Sequence, residues 1–338
     1  TVSLRRWQGA PSVPRVVTDA PGRFVFRNLP AADNYFIDAG RFGYSMTRYA
    51  RSAPDGPLTL AGLKLVPVTD RQWVSTIEIP LWRLGSITGR VIDERNEPVV
   101  GVAVRVFSMG SIAGKPQVVA GPIVITDDRG AYRIADLKPG HYKISVLSVQ
   151  STVLSTTTEA AQEWPVGELV TGGIGGSSGS VVSAPGIDVD GRHRLVITNF
   201  ATPPPPSADQ SRAYPAMFYP SARSLNDAAT IEIGYGETRG GVDVQLRPVP
   251  AVRVSGRVDG YSGAAPQMLL RLMPAGSERL GFGSEAATTL VEPDGTFTFL
   301  NVPDGSYTIL GQGSVMDFTT GSASIRLRDA PGFPGGGI

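Results

Sequence analysis

One pattern occurs three times in this chain and limits what it can become. Gly130 is followed by AYRIADLKPGHYKI, Gly295 by TFTFLNVPDGSYTI and Gly22 by RFVFRNLPAADNYFI. Turn glycine and tyrosine lie 12 residues apart in two copies (Gly130 to Tyr142, Gly295 to Tyr307) and 13 in the third (Gly22 to Tyr35). Each copy opens on an acidic turn: TDDRG with Asp127, EPDG with Asp294, TDAPG before Gly22. Asp and Gly suit such turns, because the carboxylate binds nearby backbone N–H groups and glycine adopts positive φ cheaply. Strict alternation follows, placing Tyr132 and Ile134, Phe297 and Phe299, or Phe24 and Phe26 on one face. A period of two with aromatic residues predicts a half-buried strand. Leu137, Val302 or Leu29 then precedes a corner, and a second strand starts at the tyrosine. Gly140 makes that corner in the central copy. In the first copy AADN replaces it, and Asn34 is expected to take the left-handed conformation.

A second segment also repeats. GSITGRVIDERNEPVVGVAVRVF starts at Gly85 and VRVSGRVDGYSGAAPQMLLRLM at Val252, and both hold GRV. It reads as strand, turn, strand. STIEIPLWRL (75–84) and GVDVQLRPVP (241–250) read as last strands running into the next unit through short junctions stiffened by Pro80, Pro248 and Pro250. The expected organisation is all-β: three tandem Greek-key β-sandwiches at 1–84, 85–250 and 251–338. The middle one carries a long loop insertion at about 150–213, where GGIGGSSGS and PPPP have linker composition. TTTEAAQEW (156–164) is expected to form one or two helical turns.

These residues resemble the carboxypeptidase regulatory-like domain, one of the transthyretin-like (prealbumin-like) β-sandwiches, related in form to collagen-adhesin B-type and pilin-type repeats. The resemblance rests on Gly89, Val91, Pro98, Gly101, Val104, Thr126, Asp127, Gly130, Tyr132, Leu137, Pro139, Gly140 and Tyr142. It is good in the third copy and partial in the first. It implies the sandwich fold and a domain without an active site, while a fold of this kind hosts many roles.

Composition agrees with a turn-rich scaffold. The 338 residues include 41 Gly and 28 Pro, charged residues make 18%, and 31 basic against 30 acidic residues leave a net charge of +1. Without a basic stripe, neither a nucleic-acid partner nor a membrane surface is expected. No apolar run reaches the roughly 18 residues of a membrane span. Cysteine is absent, which removes disulfides and thiol chemistry. The chain opens on Thr1, consistent with a removed leader or a piece of a longer chain.

No catalytic, cofactor or metal site is expected. His141 sits in a corner and His193 in DGRHRLVI, neither with zinc-ligand spacing. DVDG (188–191) and TDDRG supply too few oxygens for calcium and read as turns. No GxSxG elbow occurs. The acid that would help close an internal Lys–Asn amide is absent after Tyr142 and Tyr307, and Asp38 has the wrong parity after Tyr35. Trp7, Trp73, Trp82 and Trp164 read as packing residues, with glycan stacking as the competing use.

The first copy lacks a GRV strand. TVSLRRWQ aligns instead with the second strand, VAVRVFS (102–108). A sandwich without a strand leaves an edge unpaired, so Val2, Leu4 and Trp7 mark a candidate assembly edge. Three sources of the strand stay open: a longer chain, the insertion, or another subunit. The expected role is a non-catalytic structural protein of the bacterial cell exterior, a scaffold that polymerises with copies of itself or other surface components. The alternative is a glycan- or protein-binding adhesin module of a larger secreted protein.

Overall fold

The computed structural model describes residues 1–6, 15–54, 64–112, 114–155, 186–196, 211–259, 268–281, 283–319 and 322–327. Strand is the only regular secondary structure among them, so the all-β expectation holds. The chain divides into two compact units. One comprises Thr1–Ile87, Ala135–Gly140 and Glu232–Arg239; the other comprises Thr88–Ile134, His141–Ile231 and Gly240–Ile338.

The three copies use the same second-strand register. Val2–Arg6 lies antiparallel to Ala32–Ala39, with Arg6 opposite Tyr35 and Val2 opposite Ala39. Ala103–Ile112 lies antiparallel to Gly140–Val146, with Ser108 opposite Tyr142 and Val104 opposite Val146. Met268–Pro274 lies antiparallel to Tyr307–Thr319, with Pro274 opposite Tyr307. The tyrosine thus marks one register point in each copy, and TVSLRR does occupy the second-strand position. The tyrosine hydroxyl also closes the corner before its strand: Tyr35 donates to the Pro30 carbonyl at 2.9 Å and Tyr307 to the Pro303 carbonyl at 2.6 Å.

The first strand is present in two copies. Gly85–Ile92 pairs with Ala131–Leu137 on one side and, in parallel, with Val244–Gln245. Val249–Arg257 pairs antiparallel with Thr296–Pro303, placing Gly256 opposite Phe297 and Val254 opposite Phe299. Period two puts Ile87, Val91, Tyr132 and Ile134 inside the central copy, each at most 4% exposed. Phe297, Phe299, Val302, Met268, Leu270 and Leu272 form the core of the third.

A backbone feature the sequence reading did not anticipate recurs six residues after each turn glycine. Asn28, Asp136 and Asn301 have positive φ of 55°, 60° and 54°. Asn and Asp tolerate this conformation because their short side chains bond locally. The third copy shows its purpose. Between Val254–Phe299 and Val252–Val302 the ladder advances two residues on one strand and three on the other. That bulge carries Val302, at odd spacing from Phe299, back to the core face. Asn34 does not take the left-handed conformation expected of it. It lies inside the strand Ala32–Ala39, and the left-handed residue comes earlier, at Asn28.

The stretch at 150–213 also differs from a plain loop. Gln150–Leu154 joins Ala287–Leu290 in parallel, with Ser151 opposite Thr288, and His193–Val196 and Gly186–Asp188 extend the same seven-stranded sheet. The buried hydroxyls there are satisfied: Ser151 Oγ and Thr288 Oγ1 are 2.9 Å apart, and Thr152 Oγ1 accepts from the Leu300 N–H at 2.9 Å. Such a pairing joins residues over a hundred apart, which local periodicity does not reveal. The boundary expected between 250 and 251 falls inside the strand Val249–Arg257. The 156–164 segment and Trp164 lie outside the described residues.

The three turn glycines provide an internal comparison. All have positive φ: 89° at Gly22, 65° at Gly130 and 84° at Gly295. A Cβ on Gly130 would stand 2.6 Å from the Val91 carbonyl oxygen, and one on Gly295 would stand 2.9 Å from that of Val258; Gly22 has no described atom within 4 Å. Alanine should therefore cost about 1 kcal/mol of backbone strain at all three, with about 1–3 kcal/mol more at Gly130 and Gly295 from the clash. Chemical denaturation of Gly22→Ala, Gly130→Ala and Gly295→Ala checks this; equal losses would contradict it.

Candidate functional site

The three turns have the same local chemistry. Asp127 Oδ1 accepts from the N–H groups of Arg129 and Ala131 at 2.9 and 2.8 Å. Those bonds hold its carboxyl below the usual range. Asp294 Oδ1 accepts from Thr296 N–H and Oγ1 at 3.0 and 2.6 Å. In the first copy the residue is Asp19, which accepts from Arg23 N–H at 2.6 Å and pairs with its guanidinium at 2.9 Å. Tyr132 and Leu137 are buried. Burial raises the hydroxyl pKa of Tyr132, Tyr142 and Tyr307. Gly140, expected to form the corner before a strand starting at Tyr142, is itself the first residue of that strand.

The copies part company after the turn. In the central copy the Val91 N–H donates to the Gly130 carbonyl, and in the third the Val258 N–H donates to that of Gly295, both at 2.8 Å. The first copy has no described strand at that place. Its Arg23–Leu29 segment keeps the alternation and the left-handed Asn28, yet it is not a strand. The expectation of a strand there is corrected, because a strand needs a neighbour to bond and no described residue supplies one. On the other flank Ile77, Ile79 and Leu81 correspond to Val242, Val244 and Leu246. They too lie outside any strand, whereas Val244–Gln245 pairs with the first strand of the central copy.

Burial records the same gap. Phe24, Phe26, Leu29, Ile77, Ile79 and Leu81 pack against the cluster of Val2, Leu4, Tyr35, Ile37, Ala39 and Val66, but each remains only half-buried. Their counterparts Tyr132, Ile134, Leu137, Val242, Val244 and Leu246 are buried. Phe24 and Phe26 nevertheless hold an edge-to-face arrangement, 6.0 Å between centroids at 69°, matching the 5.7 Å and 70° of Phe297 and Phe299. Completing the burial of each such side chain is worth about 1 kcal/mol. Two apolar flanks thus face a strand position that no described residue fills.

The candidate assembly edge lies elsewhere. Val2 and Leu4 are core residues, and among the described residues the outer edge of Val2–Arg6 carries one bridge, Val2 with Val16. Trp7 lies outside the described residues. Asp38 is buried and bonded to Arg48 at 2.8 Å, an ion pair rather than an amide-forming site. Trp73 is 75% exposed, while Trp82 is half-buried with the Arg51 guanidinium 6.0 Å from its ring.

Sequence reasoning gave His193 no structural role, and the structure gives it one. Its Nδ1 lies 3.0 Å from Asp190 Oδ2 and its Nε2 lies 3.3 Å from Glu292 Oε1. Arg192 bonds Glu292, and Arg253 reaches Asp190 at 2.5 Å. With both ring nitrogens engaged, the imidazole is a clamp between the turn at Asp190 and the turn before Gly295. No group of three or more His, Asp or Glu among the described residues is arranged to hold a metal. A cavity of about 210 Å³ is walled by Leu147, Phe218, Leu280 and Tyr307. Its Arg223 is held by Asp304, and its size falls below the roughly 300 Å³ of ordinary ligand pockets. No described helix is long and apolar enough to cross a membrane.

The clamp predicts acid sensitivity. Asp190 has a carboxyl held well below its ordinary range, chiefly by the hydrogen bond from His193. A carboxyl with a depressed folded-state pKa contributes stability above its unfolded value of about 3.9 and loses it as pH falls toward the folded value. Amide exchange in His193–Val196 should speed up as pH drops below about 4, after correction for intrinsic rates. Asp190→Asn should exchange fast already at neutral pH and lose that acid limb; an unchanged profile would contradict the clamp.

Among solved structures, a streptococcal ancillary pilin shares 12% identity over 89% of this chain and 73% of its own, at a TM-score of 0.24. The Bacillus anthracis TIE protein shares 12% over 96% of this chain and 48% of its own, at 0.21. BcpA, the major pilin subunit of Bacillus cereus, shares 9% over 73% of this chain and 94% of its own, at 0.19. Scores this low carry no argument about arrangement or role. No curated protein matches the sequence. Residues 86–171, which hold the most complete of the three copies, match the carboxypeptidase regulatory-like domain, the family to which the sequence resemblance pointed.

Proposed function

We propose that this chain is a non-catalytic structural protein of the bacterial cell exterior. Its three sandwich copies, at 1–84, 85–250 and 251–338, serve as a scaffold that joins other surface components, or copies of itself, by head-to-tail or donor-strand contacts. The observation that carries this reading is one hairpin repeated three times, with Asp19, Asp127 and Asp294 bonded into its turns and Tyr35, Tyr142 and Tyr307 at one register point. The residues that recur in the copies are spent on turns, corners and packing, and His193 is engaged at both nitrogens, which supports a mechanical rather than a chemical role. A glycan platform would call for neighbouring exposed aromatics. Trp73 is the exposed tryptophan among the described residues, and no described aromatic ring stacks on it.

Negative-stain microscopy of the purified chain across a concentration series tests the scaffold reading. Rods or filaments that lengthen with concentration, alone or with a cell-surface extract, are the expected outcome. Dispersed monomers under both conditions would overturn it.

A further inference from the structure

We propose that chains of this protein join head to tail through an arginine-flanked apolar turn on the first copy, which docks on a pair of acid-rich turns on the central copy of a neighbouring chain. The proposal rests on the scaffold reading and names the two surfaces that meet. Charge separates along the sequence. Residues 1–84 hold 11 basic and 6 acidic side chains, whereas residues 85–338 hold 20 and 24. A chain with opposite signs in different parts attracts its own copies in a preferred orientation.

The turn on the first copy is held in place with its apolar side chains outside. It spans residues 40–46 and is bonded to residues 82–84. The Ser45 N–H donates to the Trp82 carbonyl at 2.8 Å, and the Leu84 N–H donates to the Gly43 carbonyl at 2.9 Å. Phe42 is nevertheless 89% exposed and Met46 59%. Apolar side chains this large, exposed together on a bonded turn, mark a contact surface. Arg41 and Arg83 flank them, both exposed. The Arg41 guanidinium lies 5.3 Å from the centre of the Tyr44 ring, and Tyr44 forms a backbone bridge with Arg83. Neither arginine is paired with a carboxylate among the described residues.

The acid-rich surface comes from two turns of the central copy. Asp93 Oδ1 accepts from the N–H groups of Arg95 and Glu97, each at 2.8 Å, and Asp127 shapes the other turn. Thr126 Oγ1 donates to the Val99 carbonyl at 2.8 Å and the Gly101 N–H donates to the Thr126 carbonyl at 3.1 Å, so the turns lie side by side. Segments 90–97 and 125–130 together carry five carboxylates against three arginines. Glu97 and Asp128 are exposed, and Val100 and Ile125 beside these turns are about half exposed. One surface thus sets guanidiniums around apolar side chains, and the other sets carboxylates around apolar side chains. In such a contact the apolar centre supplies affinity, while the charges at the rim choose partner and orientation. The two surfaces differ, so the pairing is heterologous and leaves each chain one of them for the next chain.

Sedimentation velocity of the intact chain across a concentration series tests the contact. Association should grow with concentration and weaken about three- to tenfold between about 0.05 and 0.5 M salt. Phe42→Ala should weaken it about tenfold. Two double variants of exposed residues separate the surfaces. Phe42→Ala with Arg83→Glu removes the apolar turn, and Glu97→Lys with Asp128→Lys removes the acidic surface. Each alone should stay monomeric with the parent's thermal midpoint. Their mixture should form one-to-one dimers that do not extend, because each variant keeps the surface that the other lacks. A parent that does not self-associate, variants that associate as the parent does, or a mixture that stays monomeric would overturn the proposal. So would a monomeric parent that binds anionic lipid vesicles through Phe42, because the turn would then serve a membrane. Filaments that persist in both variants, or that form only with the cell-surface extract, would leave the scaffold reading and remove this contact.

Discussion

The structure turns on a strand that is bonded on both sides. In the central copy Gly85–Ile92 has an antiparallel neighbour, Ala131–Leu137, and a parallel one, Val244–Gln245. Its valine fixes the turn glycine through one backbone bond, and its glycine lies against the Val242 carbonyl and the Tyr132 hydroxyl. In the first copy, where no described residue fills the place of that strand, three things differ together. The turn glycine loses its overhead contact, the alternating segment after it ceases to be a strand, and six apolar side chains on the two flanks stay half-buried. The turn itself survives, because Asp19 and Arg23 bond it locally. So does the tyrosine corner, because Tyr35 reaches a carbonyl five residues away.

That division separates local from non-local stabilisation. Turns and corners form from a few neighbouring residues. The sheet forms only when residues distant in sequence bring their backbone groups together. Phe24 and Phe26 keep an edge-to-face arrangement close to that of Phe297 and Phe299, so this pair is set by the local alternation.

Much of the fold was legible in residues. Period two with aromatics marked the hairpins, Asp and Gly marked the turns, and the alignment of TVSLRR with the second strand is met by the shared register at Tyr35, Tyr142 and Tyr307. The bulge was missed, although Asn28, Asp136 and Asn301 stand at one offset and each precedes an apolar residue that breaks the alternation. That parity break was the available signal. The strand at Gln150–Leu154 and the clamp around His193 could not be read, since their partners at 287–292 are more than ninety residues away.

The sequence by itself determined the all-β character, the three turns, the tyrosine corners and the residues that fill each core, because these depend on alternation and on neighbours a few residues apart. Tertiary structure alone decided which alternating segments became strands, that part of the expected insertion extends the sheet of the third copy, and that His193 ends between two carboxylates. The physical reason is that a strand is completed by another strand. Its backbone N–H and C=O groups need partners that the local sequence does not supply, and in the first copy Phe24 and Phe26 show what remains when no described partner provides them.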